Sequence, residues 1–238
     1  MSMPGMGGAA TLFVTGTDTG VGKTRAAAAL IALARSRGRD AVGYKPVAAG
    51  CERTADGWRN DDALQLLAAS GGGLRYEDVN PLALPAAIAP HLAARDVGLS
   101  IDPAVLDAGH ARLAQARRAG QGLVVVEGAG GWRVPLNETV DFADWVAGHR
   151  WPVLLVVGLR LGCISHALLS AEAILRGTTL AGWIANVLPP AQERWQDNLD
   201  SLRARLPAPC LGLLPENGDA EASRRGLDTP AMHALLDA

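Results

Sequence analysis

The sequence predicts one α/β domain with a doubly wound, mostly parallel sheet covered by helices on both faces. Three observations predict it. Strand-like runs are continuously apolar rather than alternating, they are separated by helical stretches, and the first of them feeds a glycine-rich loop that ends at a helix start. Each element follows from its own residues. Leu12 to Thr15 is a short β-branched and aromatic run, and Thr24 to Ser36 beyond the loop is an Ala/Leu segment that reads as a helix. Ala41 to Tyr44 gives a second strand and Asp61 to Ala69 a helix. Pro103 to Ala119 is a longer helix, with Asp102 as N-cap ahead of proline at the first helical position. Leu123 to Val126 is a wholly apolar strand, the loop Gly128 to Pro135 follows, and Phe142 to Ala147 is helical. Val153 to Val157 is a buried strand and Ile164 to Leu175 a helix. Leu180 to Ala185 and Cys210 to Leu213 are two more strands, with a helix from about Glu193 to Arg205 between them. The Pro/Gly-rich stretches 80–90 and 215–230 read as loops or edge elements, and residues 1–10 as a flexible end, which leaves 11–238 as one domain.

Composition removes several functions. The 238 residues bury roughly three quarters of the unfolded surface in one core, so neither disulfide nor structural metal is required for stability. A formal charge of -2 with scattered arginines offers no basic face for nucleic acid. Apolar runs such as Ala26 to Ala34 fall well short of the roughly 18 to 20 residues of a membrane span, and the N-terminus lacks a secretory pattern. A cytoplasmic protein is expected. Cys51, Cys163 and Cys210 lack CxxC spacing, the histidines lack HxxxH or HExxH pairs, and three reduced, mostly buried thiols are expected. Of 22 basic residues only Lys23 and Lys45 are lysines, which raises the question of what arginine could not do at those two positions.

The loop after the first strand reads Thr-Gly-Thr-Asp-Thr-Gly-Val-Gly-Lys-Thr from Thr15 to Thr24. Backbone N–H groups of such a turn and of the helix start cradle phosphates, Lys23 reaches the terminal phosphates, and the Thr24 hydroxyl suits magnesium. The spacing from Gly16 to Gly22 is one residue longer than the standard phosphate loop. A magnesium nucleotide also needs acidic groups from other loops. Glu127 ends an apolar strand and opens Glu-Gly-Ala-Gly-Gly, where glycines permit close backbone approach to a ligand. Asp62, in Arg-Asn-Asp-Asp-Ala, is the second candidate, although Asp61 or Asp62 could equally be a helix N-cap. Lys45 follows the second strand in Gly-Tyr-Lys-Pro-Val, at the same sheet edge as Lys23. Two ammonium groups beside a phosphate loop suit phosphoryl transfer between anions.

With these residues in hand, the chain closely resembles the dethiobiotin synthetases, ATP-dependent ligases of biotin synthesis. The resemblance runs from Leu12 to about Pro215 and rests on TGTDTGVGKT at 15–24, GYKPVAAG at 43–50, RNDDAL at 59–64 and VNP at 79–81. It continues through VEGAGGW at 126–132, FADWV at 142–146, VVGLRLGCISHALLS at 156–170 and AGWIAN at 181–186. It implies a P-loop NTPase fold and a homodimer that converts 7,8-diaminononanoate, CO2 and MgATP to dethiobiotin, ADP and phosphate. It further implies Lys23 and Lys45 as catalytic residues and Thr24, Asp62 and Glu127 as magnesium ligands. Nucleotide contacts are implied for Gly20, Val21, Gly22, Lys23, Thr24, Arg25, Asp62, Glu127, Gly128, Ala129, Gly130, Asn186 and Pro215, the last two in adenine-recognition segments. Thr19 and Lys45 would meet the substrate, and Gly162, Cys163 and Ile164 would hold its carboxylate across the dimer interface. Gly20, Ala49, Arg160 and Ser165 depart from a better-known member, which has glutamate, serine, lysine and asparagine there. Partition-type ATPases, the main competing class, carry a second lysine near the position of Asp18 and often a C-terminal amphipathic membrane helix; the end from Thr229 has no basic face. Amidotransferase-type ligases append a glutaminase domain, for which this length leaves no room.

Overall fold

The computed structural model describes residues 9–238. In chain order the first elements are β1 (Ala10–Gly16), α1 (Lys23–Ser36), β2 (Asp40–Tyr44), β3 (Val47–Ala49), β4 (Glu52–Thr54), β5 (Gly57–Arg59), α2 (Asp61–Ala69), α3 (Tyr76–Val79) and β6 (Leu82–Leu84). Then come α4 (Pro90–Asp96), α5 (Pro103–Gln115), β7 (Gly122–Glu127), α6 (Phe142–His149), β8 (Val153–Leu159) and α7 (Cys163–Leu175). The last are β9 (Leu180–Val187), α8 (Trp195–Arg205), β10 (Cys210–Leu214), α9 (Ala220–Leu227) and α10 (Pro230–Leu236).

The six strands read from sequence form one sheet in the order β10-β9-β8-β1-β7-β2. All of its pairings are parallel. The continuous apolar strands now have their reason, because successive side chains enter opposite cores. Leu12 and Val14 pack on one face with α1, whereas Phe13 points to the other. Likewise Leu123 and Val125 join Ile31 and Leu66, while Val124 and Val126 join Phe142 and Leu106. Every residue of β7 and β8 is buried.

Several expectations are corrected. The stretch 215–230 is not loop throughout: Asp219 caps α9 and Thr229 caps α10, each accepting a backbone N–H, and Leu227, Met232 and Leu236 complete the core against α1. Within 80–90, β6 pairs with β3 as a separate two-stranded sheet. The helix predicted to Ala119 ends at Gln115, because Asp40 draws the chain aside by accepting from the Arg117 guanidinium at 3.1 Å and the Arg118 N–H at 2.9 Å. Ala10 opens β1, and residues 1–8 of the expected flexible end lie outside the described residues. Cys51 and Cys163 are buried and Cys210 half-buried, all three free thiols. Among the described residues, no helix is long and apolar enough to cross a membrane.

Candidate active site

The loops leaving β1, β2 and β7 meet at the carboxyl ends of adjacent strands and line a cavity of about 850 Å³. The phosphate loop is shaped by its glycines. Gly20 (φ 73°) and Gly22 (φ 92°) take left-handed conformations, and a Cβ on Gly22 would lie 2.2 Å from the Asn186 amide nitrogen. Gly22 also precedes α1 with no side-chain cap, so the first N–H groups of the helix are free to receive an anion. Lys23 Nζ donates to the Asp18 carbonyl at 3.0 Å. Burial first, then the neighbouring Lys45 charge, lower the Lys23 pKa to about 8 against the pull of Glu127, Asp62 and Asp18.

Lys45 follows β2, on the far side of β7 from β1; it is 3% exposed, and its ammonium donates to Glu127 Oε1 at 2.7 Å, Asp62 Oδ2 at 3.1 Å and the Gly128 carbonyl at 3.1 Å. Burial alone pulls its pKa down, but the Glu127 and then the Asp62 carboxylate outweigh it, and the net shift is upward. Asp62 is opposed by burial yet held below the usual carboxylate range, chiefly by Lys45. The cap of α2 is neither Asp61 nor Asp62 but Asn60, whose Oδ1 accepts from the Asp62 and Ala63 N–H groups; Asp62 is thereby left free to face Lys45.

Glu127 is fully buried; Oε1 also accepts from the Thr24 hydroxyl at 2.9 Å, while Oε2 has no partner. A hydroxyl and two carboxylates, with one buried oxygen unsatisfied, fit a hard divalent cation such as magnesium. Among the described residues there is no cluster of three or more His, Cys, Asp or Glu that could hold a metal.

Of the other predicted residues, Thr19, Gly20, Gly22, Arg25, Ala129 and Gly130 line the cavity, and Ala49 does so too. Val21 is buried beneath the loop, its carbonyl accepting from the Asn186 amide at 2.9 Å, and Gly128 contributes its carbonyl to Lys45. Asn186 and Pro215 end neighbouring strands β9 and β10 but do not line this cavity. Gly162, Cys163 and Ile164 begin α7 and also stay outside it; Gly162 and Ser165 are exposed, and the adjacent Leu161 is 88% exposed. Arg160 instead pairs with Asp18, tying the phosphate loop to the end of β8.

Sequence reasoning missed a supporting network. The Asn80 amide donates to the Lys45 carbonyl at 2.7 Å, its oxygen accepts from the Tyr76 hydroxyl at 2.9 Å, and that hydroxyl accepts from the Asn60 N–H at 2.9 Å. The backbones that carry Lys45 and Asp62 are thus connected. The signal available was the Asn-Pro pair at 80–81, an apolar-flanked polar residue before a proline.

Comparison with known proteins adds to this geometry. A family model described as an AAA domain matches residues 10–224. Among solved structures, cobyrinic acid a,c-diamide synthase from Mycobacterium smegmatis aligns at a TM-score of 0.58 and 17% identity over 95% of this chain and 96% of its own, a likeness of fold. The Aquifex aeolicus MinC:MinD complex gives 0.50 and 19% over 96% and 93%. These agree with the predicted P-loop NTPase fold. Curated relatives are much nearer. The ATP-dependent dethiobiotin synthetase BioD of Xanthomonas oryzae pv. oryzae is 52% identical over 92% of this chain and 97% of its own length. That of Pseudomonas aeruginosa is 54% identical over 87% and 90%. Identity at this level over most of both chains means that the chain belongs to the ATP-dependent dethiobiotin synthetase family.

Proposed function

We propose that the chain catalyses the ATP-dependent carboxylation and ring closure of 7,8-diaminononanoate with CO2, giving dethiobiotin, ADP and phosphate. The observation that carries this reading is the convergence of two buried ammonium groups, Lys23 and Lys45, on one phosphate loop. An amine of the diamine adds to CO2, losing a proton, to form a carbamate. A carbamate oxygen then attacks the γ-phosphorus of ATP, the bond to the β-phosphate oxygen breaks, and ADP leaves. The second amine attacks the carbamic carbon of the mixed anhydride, closes the cyclic urea and expels phosphate. Nucleophile and electrophile are both anions, so cations at their point of contact provide the main stabilisation.

Lys23 would leave the Asp18 carbonyl for the terminal phosphates, and Lys45 would sit between the carbamate and the γ-phosphate. Thr24, Asp62 and Glu127 would hold a magnesium ion, which supplies charge neutralisation on the phosphates when bound. The loop N–H groups from Gly20 to Arg25 would orient the phosphates. Ala49, Ile88 and Pro90 form an apolar wall of the same cavity, suited to the aliphatic chain of the substrate. The start of α7 at Gly162, Cys163 and Ile164 does not line its own cavity, which supports a homodimer in which it completes the partner's site; cytoplasmic operation accords with the small-molecule substrates.

Phosphate release by the purified chain is expected to require both the diamine and bicarbonate, with dethiobiotin formed in equal amount. Release that ignores the diamine would overturn the proposal, and a mass measurement in solution tests the dimer.

A further inference from the structure

The hydrogen bonds around Lys45 close into a ring whose direction is set by one amide. The Asn80 NH2 group faces two carbonyls, that of Lys45 at 2.7 Å and that of Leu82 at 3.3 Å, so the amide oxygen is the side that meets Tyr76. The Tyr76 hydroxyl therefore donates to that oxygen at 2.9 Å and accepts from the Asn60 N–H, also at 2.9 Å. Asn60 Oδ1 accepts from the Asp62 N–H at 3.1 Å, and Asp62 Oδ2 accepts from the Lys45 ammonium at 3.1 Å. From its ammonium to its own carbonyl, Lys45 is joined through Asp62, Asn60, Tyr76 and Asn80, each donating to the next. Tyr76 and Asn80 are 6% and 2% exposed, so the hydroxyl and the amide are polarised by their neighbours with little competition from water.

The ring matters because the ammonium has no donor to spare. Its three N–H groups are taken by Glu127, Asp62 and the Gly128 carbonyl. To meet an anionic substrate it has to release one of them. Asp62, with a side chain 43% exposed where that of Glu127 is fully buried, is the partner that solvent and ligand can compete for. While the tip of Lys45 changes partner, its root has to stay in place. Both backbone groups of Lys45 are held by the segment that ends α3: the N–H donates to the Val79 carbonyl at 2.8 Å, and the carbonyl accepts from Asn80. Asp62 is held on its own side by the Asn60 cap. Within the ring the Tyr76 hydroxyl is the joint between these two halves, whereas the Tyr76 ring packs separately, under the Arg59 guanidinium at 4.2 Å.

We propose that Tyr76 is a positioning residue for the reaction: through Asn80 and Asn60 its hydroxyl fixes the spacing of Lys45 and Asp62 while the ammonium exchanges a carboxylate for the anionic substrate. This rests on the reaction proposed above, and the test has one readout that depends on turnover and one that does not. In Tyr76→Phe, which keeps the ring and removes the hydroxyl, kcat for diamine- and bicarbonate-dependent phosphate release is expected to fall about 10- to 100-fold, the effect of a displacement of about 1 Å. ATP affinity, measured by calorimetry without the diamine, stays within about threefold, because the loop N–H groups that meet the phosphates follow β1 and lie outside the ring. For the second readout, Lys23 and Lys45 are the only lysines, so lysine labelled with 13C at Cε gives two side-chain signals in the folded chain, that of Lys45 being the one lost in Lys45→Arg. The Lys45 signal is expected to shift or broaden in Tyr76→Phe while the Lys23 signal keeps its place. Arg59→Met uncovers the same ring but leaves the hydroxyl, and should lower stability without moving either signal or kcat. A kcat in Tyr76→Phe within about twofold of wild type, an unmoved Lys45 signal, or an equal loss of kcat in Arg59→Met would overturn the proposal. If the wild-type chain shows no diamine-dependent turnover while the Lys45 signal still answers to Tyr76→Phe and not to Arg59→Met, the reaction is wrong and the positioning of Lys45 by Tyr76 stands.

Discussion

The two ends of the sheet treat buried polarity in opposite ways. At the carboxyl ends, Lys45 and Glu127 are both buried as ions, one 3% exposed and the other fully enclosed. At the amino ends, His110 lies between Thr11, whose hydroxyl is 2.9 Å from its ring nitrogen, and the ring of Trp151 at 4.5 Å. His149 stacks on the same tryptophan at 4.4 Å and 11°, and Trp145 donates to Asp107, which also contacts His149. Here the half-buried imidazole is kept neutral: burial first, then the nearby His149, lower its pKa to about 4. A group that serves packing sheds its charge. A group that serves phosphoryl transfer retains it, even though an apolar pair of similar volume in that place is often neutral or stabilising.

That contrast can be broken most forcefully at Lys45. Lys45→Met should reduce diamine-dependent turnover by at least about a hundredfold to a thousandfold, as for removal of one electrostatic stabiliser. It should also destabilise the fold by roughly 3–5 kcal/mol, because Glu127 is left as an unpaired buried charge. The double variant Lys45→Met with Glu127→Gln should regain most of that stability in urea unfolding and none of the activity. Recovery of turnover, or unchanged stability in the single variant, would show that the pair is not a charge buried for chemistry.

At the other end the expected effect is on stability alone. The folded pKa of His110 lies below its ordinary value of 6.5, so the unfolded chain binds the proton first. Stability contributed by the neutral imidazole is full above pH 6.5, declines as pH falls, and is lost by about pH 4, a total on the order of 3 kcal/mol. Urea midpoints from pH 7 to 4 should reveal this slope, and His110→Phe should flatten it while leaving turnover at pH 7.5 intact. A slope that persists in the variant would assign the effect to other groups.

The smallest effect comes from a helix cap removed from both charge clusters. The Asp102 carboxylate accepts from the Ala104 N–H at 2.9 Å at the start of α5. Asp102→Ala should cost about 1 kcal/mol in thermal or urea unfolding and leave kcat and KM unchanged. A loss of activity there would mean that the carboxyl-end site depends on α5 more than its contacts suggest.

Much of this arrangement was legible in the residues. The six apolar runs became the six strands of the sheet, and the Gly-Lys-Thr loop and Glu127 stood at strand ends where ligands bind. What escaped notice was either short or long-range. The Asp219 and Thr229 caps carry the same signal as Asp102, yet Gly218 and Gly226 and the shortness of the helices, eight and seven residues, masked them. Asn60 took the cap that its neighbours Asp61 and Asp62 could equally have filled, a choice made by the position of Tyr76. The direction of the Arg25 side chain depends on Asn186 and Ser223, more than 150 residues away, and no local pattern encodes it.

The order of the strands has a consequence for how the chain comes to life. β1 and β2, which carry the two lysine loops, are not neighbours; the slot between them stays open until β7 arrives about 80 residues later in the chain. β7 ends in Glu127, so the strand that pairs with both of them also delivers the counter-charge of Lys45. Non-local pairings of this kind close late in folding. A nascent or partly folded chain therefore has phosphate-loop residues but no assembled cation pair, and the capacity to spend ATP emerges only with the finished sheet.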